Sequence, residues 1–173
     1  MFRDLARTTA ALKGMRYEGA VIAAARWRRG RFDRQIGMPE IQKDRHGLCV
    51  LRAADESGEL MLTLLLGHPA PQAEAGQPSR VLQAAARGQG IRPSACSLRF
   101  SEKDVQAFVR DVNDTNPLHE GHCPLVPGLL ILETLLKQPE LRGCMELSLK
   151  FTTPSFAGET IHLEISAREE QNE

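Results

Sequence analysis

The sequence predicts an α+β fold in which strands surround one buried helix. Two observations predict it. The run Leu129-Leu130-Ile131-Leu132, continued by Leu135 and Leu136, is apolar nearly all round, and a helix without a polar face belongs in a core. Strand-like stretches flank it, within residues 17–67 before it and 144–167 after it, with turn-forming residues between them.

Taken in order, residues 1–15 read as a short amphipathic helix, too polar for an export segment. Strands are expected over Tyr17–Trp27, Gly47–Ala53 and Glu59–Leu66. Asp55-Glu56-Ser57-Gly58 is turn chemistry, so the last two strands form a hairpin. Residues 68–94 are rich in Pro, Gly and Ala and read as a linker, with one helical turn over Val81–Ala86. Cys96–Phe100 is a short strand. Ser101, with Asp104 three residues later, has the form of a helix-capping box. The central helix is placed over Val126–Gln138, with Pro127 in its first turn, where a missing N–H costs nothing, and Pro139 ending it. Strands Cys144–Phe151 and Thr160–Ala167 follow. The expected organisation is an N-terminal helix and strands over 1–67, a linker over 68–94 and a motif-bearing segment over 95–173.

With 173 residues, 42% of them hydrophobic, the chain is globular and holds one core or two small ones. No stretch has the length of a membrane-spanning helix, so no membrane partner is expected. Cys49, Cys96, Cys123 and Cys144 show no paired spacing, which fits a reducing cytoplasm. The net charge is zero, yet residues 1–50 carry +6 and residues 51–173 carry −6. Arg26, Arg28, Arg29, Arg31 and Arg34 crowd around Trp27. No nucleic-acid-binding motif accompanies them, so nucleic acid is not expected. The patch is either an ordinary solvated face or a dock for an acidic carrier protein.

The chemistry concentrates between Asp111 and Glu133. The first amides of the central helix, including that of Gly128, lack intrahelical acceptors and suit a developing negative charge. Glycine at that position also admits close approach of a ligand to the backbone. Glu133 is the one acid on the apolar helix. Burial would keep it protonated and usable as a general acid; alternatively it forms an i,i+4 pair with Lys137. Asp114 and Asn116 sit in a turn-forming run and have an equally simple reading as loop-ordering residues. His119 lies just outside the helix, where one ring nitrogen can meet a substrate and the other a backbone carbonyl. His119, His122 and Cys123 are too closely spaced for a usual zinc site, and no second ligand pair follows, so no metal and no cofactor are expected.

Two motifs share His119. Asp114-x-Asn116-Pro117-Leu118-His119 resembles the D-x-N-P-x-H signature of MaoC-like (R)-specific enoyl-thioester hydratases. His119, Pro124, Pro127-Gly128 and Glu133 resemble the H-x4-P-x2-P-G-x4-E pattern of 3-hydroxyacyl-[acyl-carrier-protein] dehydratases. Both belong to the hotdog-fold superfamily, and the resemblance spans about Ile91 to Ala167. It implies an antiparallel sheet wrapped around the central helix. It also implies reversible dehydration of a (3R)-3-hydroxyacyl thioester, on acyl-carrier protein or coenzyme A, to the trans-2-enoyl thioester. In that reading His119 takes the C2 proton, and Glu133 or Asp114 protonates the departing hydroxyl. The Gly128 amide holds the thioester oxygen, Asn116 orders the loop, and Pro127 and Leu129 adjoin the substrate. The MaoC-like pattern nominates Asp114 as the acid and the dehydratase pattern Glu133. The apolar helix, which raises a carboxyl's pKa, favours Glu133. In the dehydratase branch the histidine and helix acid come from different subunits, which implies a homodimer. Hotdog domains continue after the strand near Ile161 with a long hairpin, whereas Leu48–Leu66 looks like that hairpin placed ahead of the motif. A permuted hotdog, or an N-terminal half that completes the sheet, is expected. A hotdog thioesterase and a non-catalytic acyl-thioester-binding module are the alternative functions.

Overall fold

The computed structural model describes residues 2–33, 37–72 and 81–168. Arg34 and the linker residues 73–80 lie outside them. The described elements are helix α1 (Phe2–Ala10), strands β1 (Val21–Arg29), β2 (Glu40–Arg45), β3 (Leu48–Asp55), β4 (Gly58–Leu65), β5 (Leu82–Gly88) and β6 (Ser94–Arg99), helix α2 (Glu102–Val112), helix α3 (Gly128–Leu136), and strands β7 (Cys144–Lys150) and β8 (Thr160–Ala167).

The eight strands form one sheet in the order β2-β3-β4-β1-β7-β5-β8-β6. The join between the N-terminal strands and the motif-bearing half is the antiparallel pairing of β1 with β7, where Trp27 lies opposite Leu147. All neighbours are antiparallel except β5 and β8, which run parallel. Alternation along each central strand sends Ala25 and Trp27, Leu60 and Leu62, Leu82 and Ala84, and Leu147 and Leu149 into the core. Helix α3 packs over β1 and β7, with Gly128 through Glu133 and Leu135 all buried. Helix α1 packs over β3, β4 and α2 through Leu5 and Ala6.

The hairpin turn forms as its residues dictate, with Asp55 Oδ1 accepting the Ser57 and Gly58 amides. The Ser101–Asp104 box is present in both directions at the start of α2. One expectation is corrected, and one strand was not foreseen. Val81–Ala86 is not a helical turn: Leu82–Gly88 is a strand between β7 and β8, inside the sheet. Its alanines are good helix formers, but Leu82, Ala84 and Ala86 alternate into the core, and tertiary pairing overrides that propensity. The strand Glu40–Arg45 went unpredicted because all six residues are exposed and mostly polar. It is a sheet edge, and charge there discourages pairing with another chain.

Candidate active site

Helix α2 ends at Asn113, whose left-handed backbone (φ 55°) turns the chain sharply. Asparagine tolerates that conformation, and it delivers Asp114 to the mouth of a cavity. Asp114 Oδ1 accepts the Asn116 amide at 2.9 Å. Asn116 in turn accepts the Leu118 amide at 3.2 Å through Oδ1, and its Nδ2 donates to the Ala20 carbonyl at 2.8 Å. The motif loop is therefore stapled to the segment that enters β1. A 3-10 turn over Pro117–His119 then places the imidazole, which is only 8% exposed.

The bonds of His119 fix its tautomer. Nδ1 lies 2.7 Å from the Leu125 carbonyl, which can only accept, so Nδ1 carries the proton. In the neutral ring Nε2 is then the basic nitrogen. It faces Asp114 Oδ2 at 3.5 Å. That separation is long for a direct bond and leaves both groups able to bond one small polar group that approaches them from the cavity. Asp114 thus divides its work: one oxygen orders the loop and the other faces the histidine.

Asp114, Asn116, His119, Pro127, Gly128 and Leu129 all line one cavity of about 380 Å³. Its apolar walls come from both halves of the chain, with Leu51, Leu62 and Leu64 from β3 and β4 facing Phe108, Val112 and Ile131 from α2 and α3. Pro127 at the start of α3 offers no side-chain cap to the first amides of that helix. The glycine at 128 has a packing cause: a Cβ there would come within 2.8 Å of the Phe151 ring.

Glu133 sits elsewhere. It is buried on α3, as its apolar setting predicts, but it is not among the residues that line the cavity. Arg3 grips it with two bonds, Nε to Oε1 at 2.8 Å and Nη2 to Oε2 at 3.1 Å. Lys137 adds an i,i+4 contact at 3.3 Å. Desolvation pushes its pKa up, but the bonds from Arg3 and Lys137 outweigh this and hold the carboxyl below the usual glutamate value. The expectation that burial keeps Glu133 protonated is therefore corrected. The missing signal was Arg3, 130 residues away in sequence, which also bonds Asp111 Oδ2 at 2.8 Å.

The arginine run divides along β1. Trp27 turns into the core, whereas Arg26 and Arg28 project from the opposite face. Arg28 is committed to the buried Glu59, which Arg52 also bonds. Arg29 lies over the Trp27 ring and Arg31 is exposed. Beside the motif loop, Glu102, His122 and Cys123 place one potential ligand atom each within 4.8 Å of one another. Glu102 Oε1 is already engaged there, 3.0 Å from His122 Nδ1 and accepting the Cys123 amide at 3.1 Å. Among the described residues no helix is long and apolar enough to cross a membrane.

The fold and site thus define an α+β protein with a buried histidine–carboxylate pair on a largely apolar cavity. No protein-family model matches the chain, and no curated protein matches it. Among solved structures it is similar to a MaoC-like dehydratase from Phytophthora capsici, at 14% identity and a TM-score of 0.49. The match covers 87% of this chain and 60% of that one, so this chain spans under two thirds of the length of that structure.

Proposed function

We propose that the protein is a hotdog-like hydratase that interconverts (3R)-3-hydroxyacyl and trans-2-enoyl thioesters. The observation that carries this reading is the His119–Asp114 pair, held 3.5 Å apart at a cavity that is otherwise largely apolar. In the dehydration direction His119 Nε2 takes the proton from C2. Asp114 Oδ2 relays that proton from the imidazolium to the hydroxyl leaving C3. The C2–H and C3–O bonds break, the C2=C3 bond forms, and water departs, which leaves both groups as they began. The first amides of α3, at Gly128 and Leu129 on the cavity wall, hold the thioester oxygen in this reading, where charge grows as C2 loses its proton. Asn116 holds the loop in register through its bonds to Ala20 and Leu118.

Both members of the pair come from one chain, and the opposite cavity wall comes from that chain's own β3 and β4. The homodimer expectation rested on an acid donated by a second subunit; in this mechanism Asp114 fills that role in cis. For an acyl-carrier partner, Arg26, Arg29 and Arg31 are the described cations of the basic run other than Arg28, which is tied to Glu59, and they contact the carrier in this reading.

The test is mass spectrometry of crotonyl and 3-hydroxybutyryl thioesters incubated with the purified protein. Gain or loss of one water is expected, and it should vanish in His119→Ala. Release of the free thiol would instead identify a thioesterase. Unchanged substrate would leave a binding module as the better reading.

A further inference from the structure

Among the described residues, one buried side-chain oxygen or nitrogen has no hydrogen-bond partner, and it is Thr153 Oγ1. Thr153 belongs to the wall of the cavity that holds His119 and Asp114. A buried hydroxyl without a partner is costly, so such atoms are rare and call for a cause.

The loop that carries Thr153 is braced on both sides. Before it, the Phe151 amide donates to Ala23 O at 2.9 Å. After it, the Val126 amide donates to Ser155 O at 2.8 Å, and the Ala157 amide donates to Pro124 O at 2.9 Å. The backbone cannot easily shift to give the hydroxyl an internal partner. As it stands Oγ1 is shut off from solvent and so from the cavity, and one step between staggered χ1 wells is what would turn it out to a ligand with no backbone motion. The braces also fix where the loop sits. Val126 immediately precedes Pro127 and the first turn of α3, and the Phe151 ring rests against Gly128. Leu125, bridged to Phe156, is the residue whose carbonyl orients His119. One bridged unit therefore presents Thr153, the first amides of α3 and the anchor of the imidazole to the same cavity.

We infer that Thr153 is a substrate-positioning residue whose hydroxyl donates to the carbonyl oxygen of a bound thioester, beside the α3 amides. The inference rests on the thioester reading of the site. Its unpaired state in the free protein is what a hydroxyl reserved for a ligand looks like. Binding supplies the acceptor, and charge growing on that oxygen strengthens the bond during the reaction.

Thr153→Val is nearly the same shape without the hydroxyl, and Thr153→Ser keeps the hydroxyl. Three quantities are measured on the intact chain: Kd for butyryl-CoA, which has the carbonyl and nothing to hydrate; kcat/KM for crotonyl-CoA; and Tm without ligand. Thr153→Val should weaken butyryl-CoA roughly tenfold and lower kcat/KM by about 10- to 100-fold, the scale of one hydrogen bond to a growing charge. Its Tm should stay level or rise, because an unsatisfied buried group has been removed. Thr153→Ser should restore both ligand readouts to within about threefold of wild type. A Thr153→Val protein that binds butyryl-CoA as tightly as wild type overturns the inference. So does a fall in Tm with ligand readouts unchanged, the signature of a hydroxyl satisfied by structural water. Wild-type protein that binds butyryl-CoA but never turns over crotonyl-CoA refutes the hydratase reading while leaving the Thr153 result to stand or fall on Kd.

Discussion

Two carboxylates, one on the central helix and one on the loop before it, live in opposite chemical worlds. Asp114, at the N-terminal end, spends one oxygen on the Asn116 amide and turns the other toward His119 at a cavity wall. Glu133, the sixth residue of α3, is the more deeply buried of the two, yet Arg3 and Lys137 occupy both of its oxygens. The difference teaches that burial does not by itself make an acid available for catalysis. Depth raises a carboxyl's pKa only until a cation follows it inside. Two guanidinium bonds reverse the outcome and turn the buried acid into an anchor for α1. The half-exposed acid without a cation remains the one able to exchange protons with a ligand.

The sharpest way to break this contrast is to remove each acid's charge at constant shape. Asp114→Asn, like His119→Ala, is expected to lower turnover of crotonyl thioester by ~100- to ~10,000-fold, the range for loss of a general acid or base. Glu133→Gln is expected to leave turnover within about threefold, since Glu133 does not line the cavity. Steady-state rates on the two purified variants decide the matter. A dead Glu133→Gln beside an active Asp114→Asn would invert the assignment and restore the helix acid to the chemistry.

Stability should separate the same pair in the other direction. Glu133→Gln removes a partner from an ion pair that is buried on one side and part-exposed on the other. A loss of about 1–2 kcal/mol is expected, below the cost for a fully buried pair because Arg3 can turn to solvent. Arg3→Ala should cost a similar amount, and the double variant little more than either alone, as a double-mutant cycle in urea would show. Additive losses would mean that Arg3 and Glu133 do not act on each other.

A smaller effect distinguishes the two in acid. The folded-state pKa of Glu133 lies below its unfolded value. Its contribution is therefore fully present above the unfolded glutamate pKa of about 4.3, and it is lost as pH falls through the folded value. Wild-type stability should drop more steeply than that of Glu133→Gln over this acid range. Parallel curves of urea midpoint against pH would show that the Arg3 bonds do not hold the carboxyl ionised.

The smallest expected change concerns the arginines of β1. Reversing Arg26 and Arg29 together should slow carrier-linked turnover several-fold while sparing coenzyme A substrates. The effect should fade with salt, since exposed charges are screened over ~10 Å at about 0.1 M. Equal losses on both substrates would mean that these arginines support the fold or the cavity and not a carrier.

Much of this was legible in the chain because it rests on local rules. The apolar run Leu129–Leu132 could only be a core helix. Asp55-Glu56-Ser57-Gly58 could only be a turn between strands, and Ser101 with Asp104 capped α2 as their spacing requires. The spacing of Asp114, Asn116 and His119 likewise placed three polar groups on one short loop. Such features depend on neighbours within about one turn of chain, and the sequence states those neighbours directly. What it could not state were encounters across the chain. Leu82–Gly88 became a strand because β7 and β8 flank it, against the preference of its alanines. Gly128 is glycine because Phe151 fills the space above it. Arg3 reached Glu133 and decided its ionisation, and the Leu125 carbonyl chose which nitrogen of His119 carries the proton. Each outcome turns on a contact a few ångströms long between groups whose spacing in sequence does not predict their meeting. Local propensity fixed which groups were available, and tertiary packing decided which of them remained free to react.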